Sequence, residues 1–285
     1  MGKVLVTGAT GNVGSSVVRE LAAMGEPVRA FVRDPAKARQ MLGQDVELAL
    51  GDLSNPESIR GAMDGIDRVF LSSADGPEKV DQETAVIDAA LAVGVRAIAK
   101  ASTIMAEAGS PLPAFDWNGR IEDHLRGSGA PAVILQSTFY MTNLLASADQ
   151  VRSQGLLFAP ADGAKIAMID PRDTGAVGAA ILTSDGHEGK TYMLTGPEAI
   201  TFEEVAAQLS EATGRDVRFV DVPEEGLRQG LAQGGAPDWL VDHVVGVFRI
   251  IRQGGVEATT DAVHALTGRE PRTFAQFARD HSALF

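Results

Sequence analysis

The chain has no cysteine among its 285 residues, two tyrosines, two tryptophans, and 25 basic residues against 38 acidic ones. The lack of cysteine excludes disulfides, thiolate metal sites and cysteine nucleophiles, and leaves the compartment open. The shortage of cations gives a formal net charge of −13. That charge argues against nucleic acid or an anionic membrane as a main partner, because the overall field repels phosphate. No apolar run approaches the roughly 18 residues of a membrane span, and the opening Val4-Leu5-Val6-Thr7 run is too short for a signal peptide. A cytoplasmic chain is expected, a monomer or homodimer acting on a small molecule. No Gly-x-Ser-x-Gly elbow is present, so a hydrolase reading has no support. His124, His187, His243, His264 and His281 are scattered without metal-ligand spacing, and no metal is expected.

What the chain does have is a normal 45% share of hydrophobic residues and a regular alternation of short apolar runs with amphipathic ones. Lys3–Thr7, Pro27–Val32, Val46–Leu50, Arg68–Ser72, Val95–Ala101 and Ala132–Gln136 read as strands. They are apolar nearly throughout, as in parallel strands covered on both faces. Helical stretches lie between them: Asn12–Met24, Pro35–Leu42 after Asp34, Ser58–Met63 after Asn55-Pro56, and Glu78–Val93. This alternation predicts an α/β fold with a doubly wound, Rossmann-type parallel sheet. The pattern becomes mixed and mostly helical past residue 140. Helices are expected at Thr142–Arg152, Asp173–Thr183, Phe202–Thr213, Glu224–Ala232, Pro237–Ile251, Thr260–Leu266 and Thr273–His281, and strands at Lys165–Ile169, Thr191–Leu194 and Asp216–Val222. Thr201 with Glu204 and Thr273 with Gln276 have the spacing of capping boxes. The expected division is a nucleotide-binding domain over 1–153, to which segments near 165–195 return, and a smaller substrate lobe over 154–285.

The most informative motif is Gly8-Ala9-Thr10-Gly11-Asn12-Val13-Gly14, between the first strand and the first helix. Gly8 permits the tight turn, Gly11 lets backbone approach a diphosphate, and Gly14 lets helix and strand pack closely. The free N–H groups of the helix start then face phosphate anions, so a dinucleotide is implied. Specificity is set at the end of the second strand, in Phe31-Val32-Arg33-Asp34-Pro35-Ala36-Lys37. An acidic residue there would take the ribose 2′-hydroxyl of NAD(H), whereas an arginine pairs with the 2′-phosphate of NADP(H). Arg33 is the first polar residue past the strand, and Lys37 follows one helical turn later, although each also reads as an ordinary surface cation. Asp34, just before Pro35, reads most simply as a helix cap. NADP(H) is therefore expected, with NAD(H) as the alternative.

Thr7–Gly14, Phe31–Lys37, Gly51-Asp52-Leu53, Ser137–Asn143 and Thr267–Phe274 together resemble the NmrA-like group of atypical short-chain dehydrogenase/reductases, over nearly the whole chain. That group includes NADPH-dependent quinone oxidoreductases and triphenylmethane-dye reductases. The resemblance implies that Asp52 bonds the adenine amino group and Leu53 packs near the ring, with a loop cap as the other reading of Asp52. It implies that the backbone of Ser72-Ser73 passes the second ribose. The turn Thr138-Phe139-Tyr140 would line the nicotinamide, and Ser102 would end the fifth strand beside it. Phe139 or Tyr140 could stack on a flat acceptor or pack in the core, and the Tyr140 hydroxyl is a conceivable proton donor. Trp117 walls the pocket or belongs to the core, and Asn143 caps a helix or touches ligand. Lys100, in an apolar strand, is expected to reach solvent from the strand end.

The main branch of this superfamily uses Tyr-x-x-x-Lys as its acid pair. Here Leu144 stands four residues after Tyr140 and Gly196 four after Tyr192, so the pair is absent. The helix that would carry it has Asn118 and Glu122 instead. Reducing a simple ketone makes an alkoxide that needs a nearby acid, whereas a quinone gives a delocalised phenolate and a cationic dye gives a neutral product. The expected activity is hydride transfer from NADPH to a planar, electron-poor acceptor, a quinone first. A non-catalytic NADP(H) sensor is the alternative of another class. A sugar-nucleotide epimerase or dehydratase, suggested by Thr195-Gly196-Pro197, is disfavoured because it also needs the missing pair.

Overall fold

A computed structural model describes residues 2–285. In chain order it contains β1 (Lys3–Val6), α1 (Asn12–Ala23), β2 (Val28–Val32), α2 (Pro35–Leu42), β3 (Glu47–Leu50), α3 (Pro56–Ala62), β4 (Ile66–Leu71), α4 (Lys79–Ala92), β5 (Ala97–Thr103), α5 (Pro113–Gly127) and β6 (Ala132–Ser137). A 3-10 turn (Met141–Ser147) leads into α6 (Ala148–Gln154), β7 (Leu156–Ala159), α7 (Pro171–Leu182) and β8 (Thr191–Leu194). The chain ends with α8 (Phe202–Thr213), β9 (Arg218–Asp221), α9 (Glu224–Gln233), α10 (Asp238–Gln253), α11 (Ala262–Thr267) and α12 (Phe274–Asp280).

The expected parallel sheet is present, with seven strands in the order β3-β2-β1-β4-β5-β6-β8. Strand order reverses between β1 and β4, and open α/β sheets bind ligands in the crevice at such a reversal. Val17, Leu21, Val177 and Leu182 from α1 and α7 cover one face. Ile59, Ile87, Ile121 and Leu125 from α3, α4 and α5 cover the other. Local chemistry sets the helix starts. Asp34 accepts from the N–H groups of Ala36 and Lys37, Asn55 from Glu57 and Asp170 from Arg172. Thr201 and Thr273 form the two reciprocal capping boxes.

A third core, including Phe202, Leu209, Phe248, Phe274 and Phe277, gathers the later elements around the two-stranded pair β7-β9. The chain near its end is tied to the sheet domain: Arg272 gives both its backbone N–H and its guanidinium to the buried carboxylate of Asp173 at the start of α7, and Arg269 pairs with Glu20 of α1 at 2.8 Å. The Thr267–Phe274 motif is thus a clamp. Among the described residues, no helix is long and apolar enough to cross a membrane.

Two expectations fail in this part of the chain. Lys165–Ile169 is not a strand. Its buried backbone divides its hydrogen bonds among several segments: Ile166 exchanges bonds with Ile200, Ala167 donates to Val256 and Ile169 to Phe139. No single neighbour runs alongside it, so no ladder forms. The strand that does pair with β9 is Leu156–Ala159, which the sequence reading passed over. The helix expected at Thr142–Arg152 splits into the 3-10 turn and α6.

Candidate functional site

A cavity of about 1670 Å³ runs along the carboxyl ends of the strands and continues into the third core. Small-ligand sites commonly occupy about 300–1,000 Å³, so this one has room for a dinucleotide and a second molecule.

Its first end is the glycine turn. Gly8 has φ +58°, and a Cβ there would sit 2.8 Å from the Ser72 carbonyl oxygen. A Cβ on Gly14 would lie 2.3 Å from the Gly8 carbonyl oxygen, so no side chain fits without moving backbone. Thr7 locks the turn to β4: its hydroxyl donates to the Ser72 carbonyl at 2.7 Å and accepts from the Ser72 N–H at 2.9 Å. Unlike α2, α3, α7, α8 and α12, α1 has no side-chain cap, and no acidic residue lies in its first turn. Its leading N–H groups open toward a cavity lined by Thr10, Gly11, Asn12 and Val13, the arrangement that suits a diphosphate. Replacing Gly11 with Ala adds a methyl 3.2 Å from the Gly8 carbonyl oxygen, tight but tolerable. Thermal stability should hardly change, while calorimetry should show NADPH binding weakened about tenfold as the methyl meets the phosphates.

Arg33 and Lys37 line the same end, exposed and without an ion-pair partner among the described residues. Asp34 is committed to capping α2, at 2.9 and 3.0 Å from two N–H groups. Asp52 accepts the Ser54 N–H through Oδ1 at 2.8 Å, which is the loop-cap geometry, and with Leu53 it still borders the cavity.

Sheet order places β4, β5 and β6 on the far side of β1, and their ends line the next section. Here the structure ties polar groups to one another. The Ser102 hydroxyl donates to Glu122 Oε1 at 2.5 Å, and Glu122, buried, also receives Arg126 and Gln136. Thr138 donates to the Ala167 carbonyl at 2.6 Å. The Ser137 and Thr174 hydroxyls bond each other at 3.1 Å, and burial raises the Tyr140 pKa above the ordinary tyrosine value, which weakens it as an acid. The Asn143 side chain, by contrast, is exposed at the cavity: it lies within the 3-10 turn, whose N-cap position is Tyr140. Trp117 does not wall the cavity. It packs with Ile121 and Leu125 on the sheet-facing side of α5, its ring 5.1 Å from Trp239, while the neighbouring Asn118 faces the ligand side.

Sequence reasoning missed the buried cluster beneath this section. Lys100 does not reach solvent: it is fully buried, 2.9 Å from Glu83 Oε2 and 2.8 Å from Asn118 Oδ1, and it also donates to the Ala101 carbonyl. Lys79 lies 3.0 Å from Glu83 Oε1 and 3.3 Å from Asp75, and the Ser73 hydroxyl donates to Glu83 Oε1 at 2.7 Å. One buried carboxylate therefore faces two ammonium groups. Burial pushes its pKa up, but Lys100 and Lys79 outweigh that and bring it down to about 2. For Lys100, burial and the neighbouring Lys79 outweigh Glu83 and lower the pKa. Burial acts on Lys79 the same way, but Glu83 and Asp75 together hold its pKa above the usual lysine value. The signal in the sequence was the pairing of a lysine inside an apolar strand with a glutamate inside the apolar stripe of α4.

The far end of the cavity is an apolar chamber. Phe139 and Phe248 meet edge to face at 6.2 Å, with Phe202, Phe158 and Ile251 around them. α9 forms part of its roof, buries no residue, and turns Gly226 and Gly230 toward the space, with Gly234 just past its end. His243 of α10 stands between the chamber and the polar section, its ring edge-on to Phe115 at 5.3 Å.

Comparison with known proteins agrees with this geometry. The NmrA-like family profile matches residues 1–278. An NAD(P)H azoreductase of Xenophilus azovorans is 38% identical, with 99% of both chains aligned. An NADPH-dependent quinone oxidoreductase of Escherichia coli, solved with NADPH, superposes with a TM-score of 0.87 at 31% identity, covering 97% of this chain and 99% of its own. A Citrobacter triphenylmethane reductase solved with NADP(H) gives a TM-score of 0.83 at 26% identity, covering 98% of this chain and 99% of its own.

Proposed function

The chain belongs to the NmrA-like family, and on that premise we propose that it is an NADPH-dependent oxidoreductase that reduces a planar, electron-poor acceptor, a quinone by first choice. The observation that carries this reading is one continuous cavity that joins an uncapped helix start and two unpaired cations to an aromatic-walled apolar chamber. The amides of Gly11–Gly14 hold the diphosphate and Arg33, helped by Lys37, holds the 2′-phosphate. Asp52 and Leu53 bracket the adenine. The ends of β4, β5 and β6 run past the second ribose and nicotinamide, with Ser72, Ser73, Ser102, Thr138, Phe139 and Tyr140 along them. When bound there, NADPH supplies a hydride and leaves as NADP⁺. The chain's own part is to fix that face against a flat acceptor between Phe139, Phe248 and Asn143, and to exclude water.

A phenolate product suits a site whose Ser102 hydroxyl is committed to Glu122 and whose Tyr140 is made a weaker acid by burial. Mixing the protein with NADPH and 1,4-naphthoquinone should give loss of NADPH absorbance that depends on both. A failure to oxidise NADPH with any quinone, azo or triarylmethane acceptor, despite NADPH binding, would overturn the reading in favour of a sensor.

A further inference from the structure

We infer that His243 is the group that protonates the reduced acceptor. This rests on the proposed reductase reading and assigns the acid that the sequence lacks.

The argument is by position and by elimination. His243 lines the cavity where the apolar chamber meets the section formed by the ends of β4, β5 and β6. Its ring is fixed edge-on to Phe115, and its Nδ1 is buried with no hydrogen-bond partner among the described residues. A buried polar atom left unpaired costs free energy, and Nδ1 is closed to the cavity, so the nitrogen that meets a ligand is Nε2, which has no hydrogen-bond partner among the described residues and is not closed off. The other titratable groups there are less suited. Burial makes Tyr140 a weaker acid, Glu122 is held by Ser102, Arg126 and Gln136, and Lys79 and Lys100 are held by Glu83.

The step balances without further reagents. The hydride brings both electrons to the quinone and yields a hydroquinone monoanion. The N–H bond of the protonated His243 ring then breaks, its electron pair stays on nitrogen, and the proton joins the phenolate oxygen. The imidazole recovers a proton from solvent. Burial depresses the His243 pKa below 6.5, opposed only by the charge of Asp75, from the segment after β4. Of the other charged groups nearby, Asp116 of α5 is bound to the Gly109 N–H and Asp242 of α10 to Arg228 of α9. The acid form is therefore populated as pH falls through that depressed value, and turnover should rise with it.

His243→Phe keeps the aromatic contact and removes the proton. With 1,4-naphthoquinone, kcat should fall about tenfold, less than the roughly 100-fold or more usual for acid catalysis, because a phenolate is a weak base. The KM for NADPH should stay put. The wild-type rate should titrate with the pKa of His243 measured by NMR and should show a solvent deuterium effect, and both should vanish in the variant. A cationic triarylmethane dye gives a neutral product needing no proton, so its reduction should be spared. Unchanged kcat and pH profile in His243→Phe, or equal slowing with quinone and dye, would overturn the assignment. Absence of turnover by the wild type with every acceptor would instead count against the reductase reading.

Discussion

Replacing Glu83 with Gln should unfold a measurable fraction of the protein under conditions where the wild type is fully folded. The substitution preserves shape and removes one charge, leaving Lys79 and Lys100, 4% and 0% exposed, without a buried counter-ion. Breaking a buried ion pair from one side costs about 3–5 kcal/mol, because the remaining charge has no water to return to. For a chain of this length that corresponds to roughly 10 °C in Tm. The pH dependence gives a sharper check. Glu83 has its pKa lowered in the folded state, from 4.5 to about 2. Its contribution is therefore complete above 4.5 and is lost as pH falls toward 2. The gap between wild type and Glu83→Gln should be widest near neutrality and narrow through that window, since protonated Glu83 is as neutral as Gln. Urea melts at pH 7 and pH 3 measure it. A gap that is small at both pH values would mean that the two lysines find other partners.

Arg33→Ala should erode most of the proposed preference for NADPH over NADH. A guanidinium holds a phosphate through two parallel charge-assisted bonds, and Arg33 is already unpaired at the cavity edge. Loss of that contact should lower kcat/KM for NADPH about 10–100-fold and leave NADH nearly untouched. Lys37, one turn along α2, supplies the residual preference as a point charge, so the double variant should lose it. Equal losses with both cofactors would show that Arg33 supports the loop rather than reading the 2′ position.

The sheet and the glycine turn were legible because each rests on local rules. Apolar runs alternate with capped helices, and the strand, three spaced glycines and helix follow one another within residues 3–23. Asp34 as a cap was legible for the same reason: Asp-Pro fixes a helix start wherever it occurs. What failed was non-local. Nothing in Lys165–Ile169 reveals that its partners come from three separate parts of the chain, since a buried extended run looks the same whether it pairs in a ladder or not. Lys100 was misread because a strand-end lysine ordinarily finds water, and only tertiary structure brings Glu83 beneath it. His243 was passed over because histidines were weighed as metal ligands, and a lone one on an amphipathic helix carries no spacing signal. Trp117 depended on which side of α5 meets the sheet, where one residue separates core from cavity.

The glycines of α9 set the stiffness of the chamber roof against its height. A helix interior is a poor place for glycine, which is less favourable there than alanine by about 1 kcal/mol. At Gly230 nothing lies within 4 Å of a would-be Cβ. A methyl there would firm up the helix while narrowing the roof. Firmness of the helix and headroom of the chamber thus pull in opposite directions at this one position.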